Sequence, residues 1–169
     1  MKYFILIIFL LSSAYIFYEG LRDDPTYIPS NLISEEIPEF KIESIKQYES
    51  FSSADLKSDE IKVVNFFASW CPPCKVEHPQ LKKLSEKYKL YGIAKKDEIR
   101  NLTKWLDDLG NPFVKIGLDK DGMISIDWGV YGLPETFLID HKGMIIHKHV
   151  GPIMKKDLEY INKLISNVK

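Results

Sequence analysis

The chain is poor in cysteine, in histidine and in net charge. It has 169 residues, with only two cysteines (Cys71 and Cys74) and four histidines. Two cysteines exclude a multi-bridge disulfide scaffold, and alone they cannot fill a four-ligand structural zinc site. Lys and Arg number 23 against 24 Asp and Glu, a net charge of -1. Such a balance provides no basic surface and argues against nucleic acid as a partner. No internal repeat or low-complexity tract occurs. Of the histidines, His78 alone is near the cysteines in sequence, and His147 and His149 would share one face of a strand. No second ligand pair has zinc-finger spacing, so neither a metal nor a cofactor is expected.

One long apolar run is present, Tyr3 to Tyr18, preceded by Lys2 and followed by Glu19, Arg22, Asp23 and Asp24. A positive flank stays in the cytoplasm, which places the remainder outside it. A signal peptide cut near Ser12-Ser13-Ala14 is one reading, and an uncleaved anchor is the other. Bulky aromatics continue past Ala14 to Tyr18, and interfacial tyrosines suit a membrane boundary, which favours the anchor. In either case the domain occupies a compartment where disulfides persist. The expected organisation is an anchor over 1–18, a proline-bearing tether over 19–38 and one domain over 39–169.

Within the domain, the patterning predicts strands over Phe40–Ile45, Ile61–Ala68, Leu90–Ala94 and Phe113–Leu118. A hairpin is predicted from Thr136–Asp140 and Met144–Val150, with Gly143 at its turn. Helices are predicted over Pro72–Tyr88, Asp97–Leu109, Met123–Trp128 and Met154–Val168. The order implies a mixed α/β sheet covered on both faces. Asp119-Lys120-Asp121-Gly122 has a calcium-loop flavour but lacks the remaining ligands, and reads as a solvated turn. Lys155, Lys156 and Lys163 read as a solvated helix face.

Both cysteines stand in Trp70-Cys71-Pro72-Pro73-Cys74, between a buried strand and a helix. That order is the layout of a thiol–disulfide redox centre. At a helix N-terminus, unpaired N–H groups and the macrodipole favour the Cys71 thiolate, the exposed attacker. Cys74, one turn later, would resolve the mixed disulfide. Proline is tolerated in a first helical turn, whereas Pro79, inside the helix, should kink it. A structural bridge over so small a loop would add little stability. Two rivals remain: a general disulfide oxidase or isomerase, and a non-enzymatic metal or haem carrier using the cysteine pair. A strong oxidant needs its reduced form stabilised, and Pro72 and Pro73 supply no such group.

Phe67-Ala68-Ser69-Trp70-Cys71-Pro72-Pro73-Cys74, Pro79, and Pro134 before a strand resemble the thioredoxin superfamily. Three further stretches narrow the match: Pro25-Thr26-Tyr27-Ile28-Pro29-Ser30, Glu77-His78, and Trp105-Leu106 with Leu109-Gly110-Asn111-Pro112-Phe113. Most specific is Asp127-Trp128-Gly129-Val130-Tyr131-Gly132-Leu133-Pro134-Glu135-Thr136-Phe137-Leu138-Ile139-Asp140. Together they resemble the DsbE/CcmG thiol:disulfide interchange proteins of cytochrome c maturation. The resemblance implies a thioredoxin-like fold on an N-terminal transmembrane helix, held single-pass in the inner membrane and facing the periplasm. It implies a reductant of apocytochrome c, or of an intermediary thiol protein, supplied by a membrane thiol reductant of the DsbD/CcdA type. It also assigns Cys71 as nucleophile, Cys74 as resolving thiol and Pro134 as a cis-proline. Glu77 and Glu135 match acidic positions near the active site, and Trp70 and Tyr131 would line the docking groove. Ordinary thioredoxins carry a buried Asp where this chain has Asn65. The proton acceptor for Cys74 must then lie elsewhere, and Glu77 is the candidate.

Overall fold

The computed structural model describes residues 2–21, 32–58 and 60–168. Helix α1 (Lys2–Gly20) is apolar on all sides and long enough, by length and composition, to cross a membrane; a signal sequence meets the same test. The stretch Pro25 to Ser30 lies outside the described residues.

Six strands build one sheet: β1 (Glu43–Ser44), β2 (Lys62–Phe67), β3 (Lys89–Lys95), β4 (Lys115–Asp119), β5 (Glu135–Ile139) and β6 (Ile145–Val150), in the order β1-β4-β3-β2-β5-β6. The pairs β2·β3 and β3·β4 are parallel, while β5, β6 and β1 join antiparallel. Among the described residues, the α-helices of the domain are α2 (Pro72–Ser85), α3 (Ile99–Leu109), α4 (Met123–Asp127) and α5 (Lys155–Val168).

Strand alternation sorts the interior into two layers. Val63 and Phe67 point to the layer shared with Leu81 and Leu84 of α2, Leu102 and Leu106 of α3, and Ile161 and Ile165 of α5. Val64 and Phe66 point to the opposite layer, where Trp128 lies with Phe137, Ile37 and Phe51. Every residue of β2 is buried, as its near-continuous apolar run requires of a central strand. Gly110 ends α3 and Gly143 turns the hairpin, both at a φ of 84° that favours glycine.

Two expectations change. The strand foreseen over Phe40–Ile45 reduces to two residues, because Lys41 pairs instead with Ser52 in an isolated bridge. The domain also begins before residue 39. Ser34 N donates to Ile145 O (2.8 Å), Ile145 N donates to Glu35 O (2.9 Å), Glu36 pairs with Met144, and Ile37 is buried. Periodicity over so few residues is too short to reveal this pairing, and the neighbouring prolines suggest a linker instead.

The turn at Asp119 is not simply solvated either. Its carboxylate is buried and accepts from Ile124 N (3.2 Å), Ser125 N (2.9 Å) and Ser125 Oγ (2.6 Å), fixing the start of α4. Only Lys120 and Asp121 face solvent.

Candidate active site

The end of β2 delivers the chain into α2 through Ala68-Ser69-Trp70. Asp97 holds this crossing, accepting from the Ser69 N–H and from Ser69 Oγ (2.7 Å). The indole of Trp70 donates to Lys96 O (3.1 Å) and leaves 59% of the residue exposed. Cys71 caps α2, with its Sγ accepting from Cys74 N (3.2 Å). Pro72 and Pro73 occupy the first helical positions, where no N–H is needed.

Cys71 and Cys74 form a disulfide, their Cα atoms 5.3 Å apart. Cys71 keeps 3% of its surface and Cys74 1%. The exposure expected of the attacking thiol is therefore absent in the oxidised form, where both sulfurs join the cluster packed beneath α2.

One turn beyond Cys74, Glu77 is fully buried. Its Oε1 accepts from Asn65 Nδ2 (2.9 Å) and its Oε2 from Ile153 N (3.0 Å). Asn65 Nδ2 also donates to Thr136 Oγ1 (3.0 Å), since Asn65 and Thr136 are direct partners in the β2·β5 register. Burial pushes the Glu77 carboxyl up to about 7, against the smaller opposing effect of its two hydrogen bonds. Glu77 can thus exchange a proton near neutrality, as an acid–base group must.

This shift predicts a pH-dependent stability. The folded state holds the Glu77 proton up to about pH 7, and the unfolded chain releases it near 4.5. Its contribution is therefore greatest below pH 4.5, falls as the pH rises to about 7, and then levels off at a loss of about 3 kcal/mol. Glu77→Gln should remove that fall. The Asn65 amide can turn its unpaired Oδ1 toward the new side-chain NH₂. Urea unfolding of the oxidised protein in detergent at pH 4.5 and pH 8 measures it. Equal pH dependence in both proteins would refute the assignment.

The other acidic position lies elsewhere. Strand alternation sends Thr136 toward Glu77 and Glu135 to the opposite face of the sheet, beside Phe137 and Trp128. Glu135 Oε1 accepts from Tyr131 N (2.9 Å) and Gly132 N (3.1 Å), and its Oε2 pairs with Lys148 Nζ at 2.9 Å. The sheet therefore separates Glu77 and Glu135 into two networks. The Leu133–Pro134 bond is cis, and Pro134 O accepts from Gly151 N (3.0 Å). Tyr131 stands 71% exposed on the loop that leads to Pro134.

His78 is committed to the fold. It is buried, bonds Gly110 O (2.7 Å) and meets the Trp105 ring edge-on at 4.5 Å; burial lowers its pKa. Among the described residues, no group of three or more His, Cys, Asp or Glu is arranged to hold a metal.

Asp97, Thr136 and Lys148 join the site only in three dimensions. Thr136 could have been found by pairing β5 against β2. Lys148, between His147 and His149 in an alternating strand, carried no sign of its burial.

A family model described as Redoxin matches residues 33–165. The chain is 42% identical over 151 residues to the thiol:disulfide interchange protein DsbE of Pseudomonas aeruginosa, covering 88% of this chain and 83% of the relative. With DsbE of Escherichia coli K12 the identity is 40% over 154 residues, with the same coverage. A DsbE homolog of Paracoccus denitrificans is 39% identical over 149 residues, covering 88% and 82%. In fold, the chain is similar to the crystal structure of a DsbE-type protein from Chlorobium tepidum, with a TM-score of 0.71, 24% identity and coverage of 80% and 96%. With its disulfide at the head of α2 in a thioredoxin-like fold, the chain belongs to the Redoxin family, as a dithiol–disulfide oxidoreductase of the DsbE/CcmG kind.

Proposed function

We propose that this chain is a membrane-anchored reductant facing the periplasm, which keeps the Cys-x-x-Cys-His thiols of apocytochrome c reduced, directly or through an intermediary thiol protein. In the reduced protein, the Cys71 thiolate attacks one sulfur of the client disulfide. The S–S bond breaks, and the client's departing sulfur takes up a proton. Cys74 then gives its proton to Glu77 and attacks Cys71 Sγ, which releases the second client sulfur as a thiolate; that sulfur takes up a proton, and Glu77 gives its own back to water. The client gains two electrons and two protons, and the Cys71–Cys74 disulfide remains. A membrane dithiol of the DsbD/CcdA type restores the reduced state.

The observation that carries this reading is the buried Glu77–Asn65 pair one turn behind Cys74. It supplies a proton acceptor for the resolving thiol without placing a carboxylate at position 65. Trp70, Tyr131 and Pro134 would form the walls against which the client chain lies, and Glu135 would shape the loop that carries Tyr131. Helix α1 supports retention at the inner membrane as a single span.

Cys74→Ser in the native membrane tests the reading. Mass spectrometry should recover a Cys71 mixed disulfide from the washed membrane fraction, joined to a c-type apocytochrome or a thiol protein. Finding the protein only in the soluble fraction would overturn the anchor. Equilibration with glutathione should show a reducing Cys71–Cys74 couple; one as oxidising as about -120 mV would overturn the reductant role.

A further inference from the structure

Lys148 is a charge in an unusual place. Its side chain is 2% exposed and that of its partner Glu135 0%. The ammonium sits 2.9 Å from Glu135 Oε2 and 2.8 Å from Gly129 O. It also lies 4.9 Å from the centre of the Tyr131 ring and 5.4 Å from that of Phe137. Glu135 in turn receives Tyr131 N and Gly132 N. A single buried pair therefore grips the Gly129–Pro134 loop at its start, through Gly129 O, and at its middle, through two N–H groups.

The loop needs such a grip. It contains Gly129, at a φ of 59°, and Gly132, so its backbone is intrinsically permissive. A buried ion pair is a poor device for stability, since an apolar pair of similar size often serves as well. A buried polar network with its members paired does hold one geometry. Here the fixed geometry belongs to the exposed Tyr131 and to the backbone entering the cis-proline.

We propose that Lys148 is a positioning residue for protein clients: it holds the Gly129–Pro134 loop and the Tyr131 ring as a preformed lip against which a client main chain is set for attack by Cys71. The proposal rests on the exchange reading above. It separates two classes of disulfide. A small one reaches Cys71 without touching the lip, whereas a peptide must be oriented by it.

The test uses the full-length reduced protein in detergent with two probes: hydroxyethyl disulfide and an oxidised synthetic Cys-x-x-Cys-His peptide. Lys148→Met should slow peptide reduction by about 100-fold, the scale on which misplacing reactants slows chemistry. Hydroxyethyl disulfide should react as with the wild type, and the glutathione equilibrium should not move. Lys148→Arg, which keeps a cation and its donors, should restore most of the peptide rate. Should Lys148→Met fail to fold, Glu135→Gln with Lys148→Met removes both charges and is measured the same way. Equal losses on both probes, or none on the peptide, would overturn the proposal. A wild type that reduced neither probe would instead sink the exchange reading.

Discussion

Cys71→Ala will lose dithiol–disulfide exchange by about a thousandfold or more, the scale on which removing an attacking nucleophile acts. Cys74→Ala will lose turnover but keep the first half of the reaction. The asymmetry follows from α2. Cys71 is the cap, and its Sγ receives the Cys74 N–H at the positive end of the helix. Cys74 lies inside the first turn, with Glu77 one turn behind it. Of the two, Cys71 occupies the cap position, where the helix end favours a thiolate. Adduct formation with an oxidised Cys-x-x-Cys-His peptide, read on a non-reducing gel, measures the difference. Adducts on Cys74 in the Cys71→Ala protein would reverse the assignment.

Trp128→Ala will destabilise the protein by about 3–5 kcal/mol, the range for emptying a large buried aromatic site. Trp128 has no solvent exposure. Its ring lies 5.1 Å from Phe137, 5.4 Å from Phe66 and 5.9 Å from Phe40. These partners come from β5, β2 and the N-terminal part of the domain, so no single neighbour can collapse into the space. Trp128→Phe should cost less than about 1.5 kcal/mol, because it fills most of the volume. It also removes an indole N–H that has no acceptor among the described residues. Urea unfolding of the oxidised protein gives both values. A loss under about 1 kcal/mol for Trp128→Ala would show that the layer repacks.

The sequence disclosed most where its period was strong. The apolar run of β2, the helical spacing of Leu102 and Leu106, and Gly143 at the hairpin turn all led to elements that form. The cysteines were legible because two residue types, four positions and a following helix already define a reaction. Of the network around them, Asn65 and Glu77 were legible, and their links to Thr136 and Ile153 were not. Asn65 and Thr136 meet only because β2 and β5 pair antiparallel in one register, and nothing local to either strand states that register. Lys148 was hidden for a different reason. Composition treats lysine as a surface residue, and only a partner distant in sequence, Glu135, makes its burial tolerable. The same holds for Asp119: its role is set by backbone N–H groups on the next helix, which a turn motif does not reveal.

The short pairing of Ser34–Glu36 with Met144 and Ile145 bears on how the domain is handled apart from helix α1. Strand β6 is an edge of the sheet, and these residues occupy the hydrogen-bonding groups at its beginning. A soluble form cut at residue 39 would uncover that edge and vacate the site of Ile37 in the core. Bare strand edges recruit other chains, so such a fragment is primed for self-association. A fragment beginning ahead of Leu32 carries its own cover.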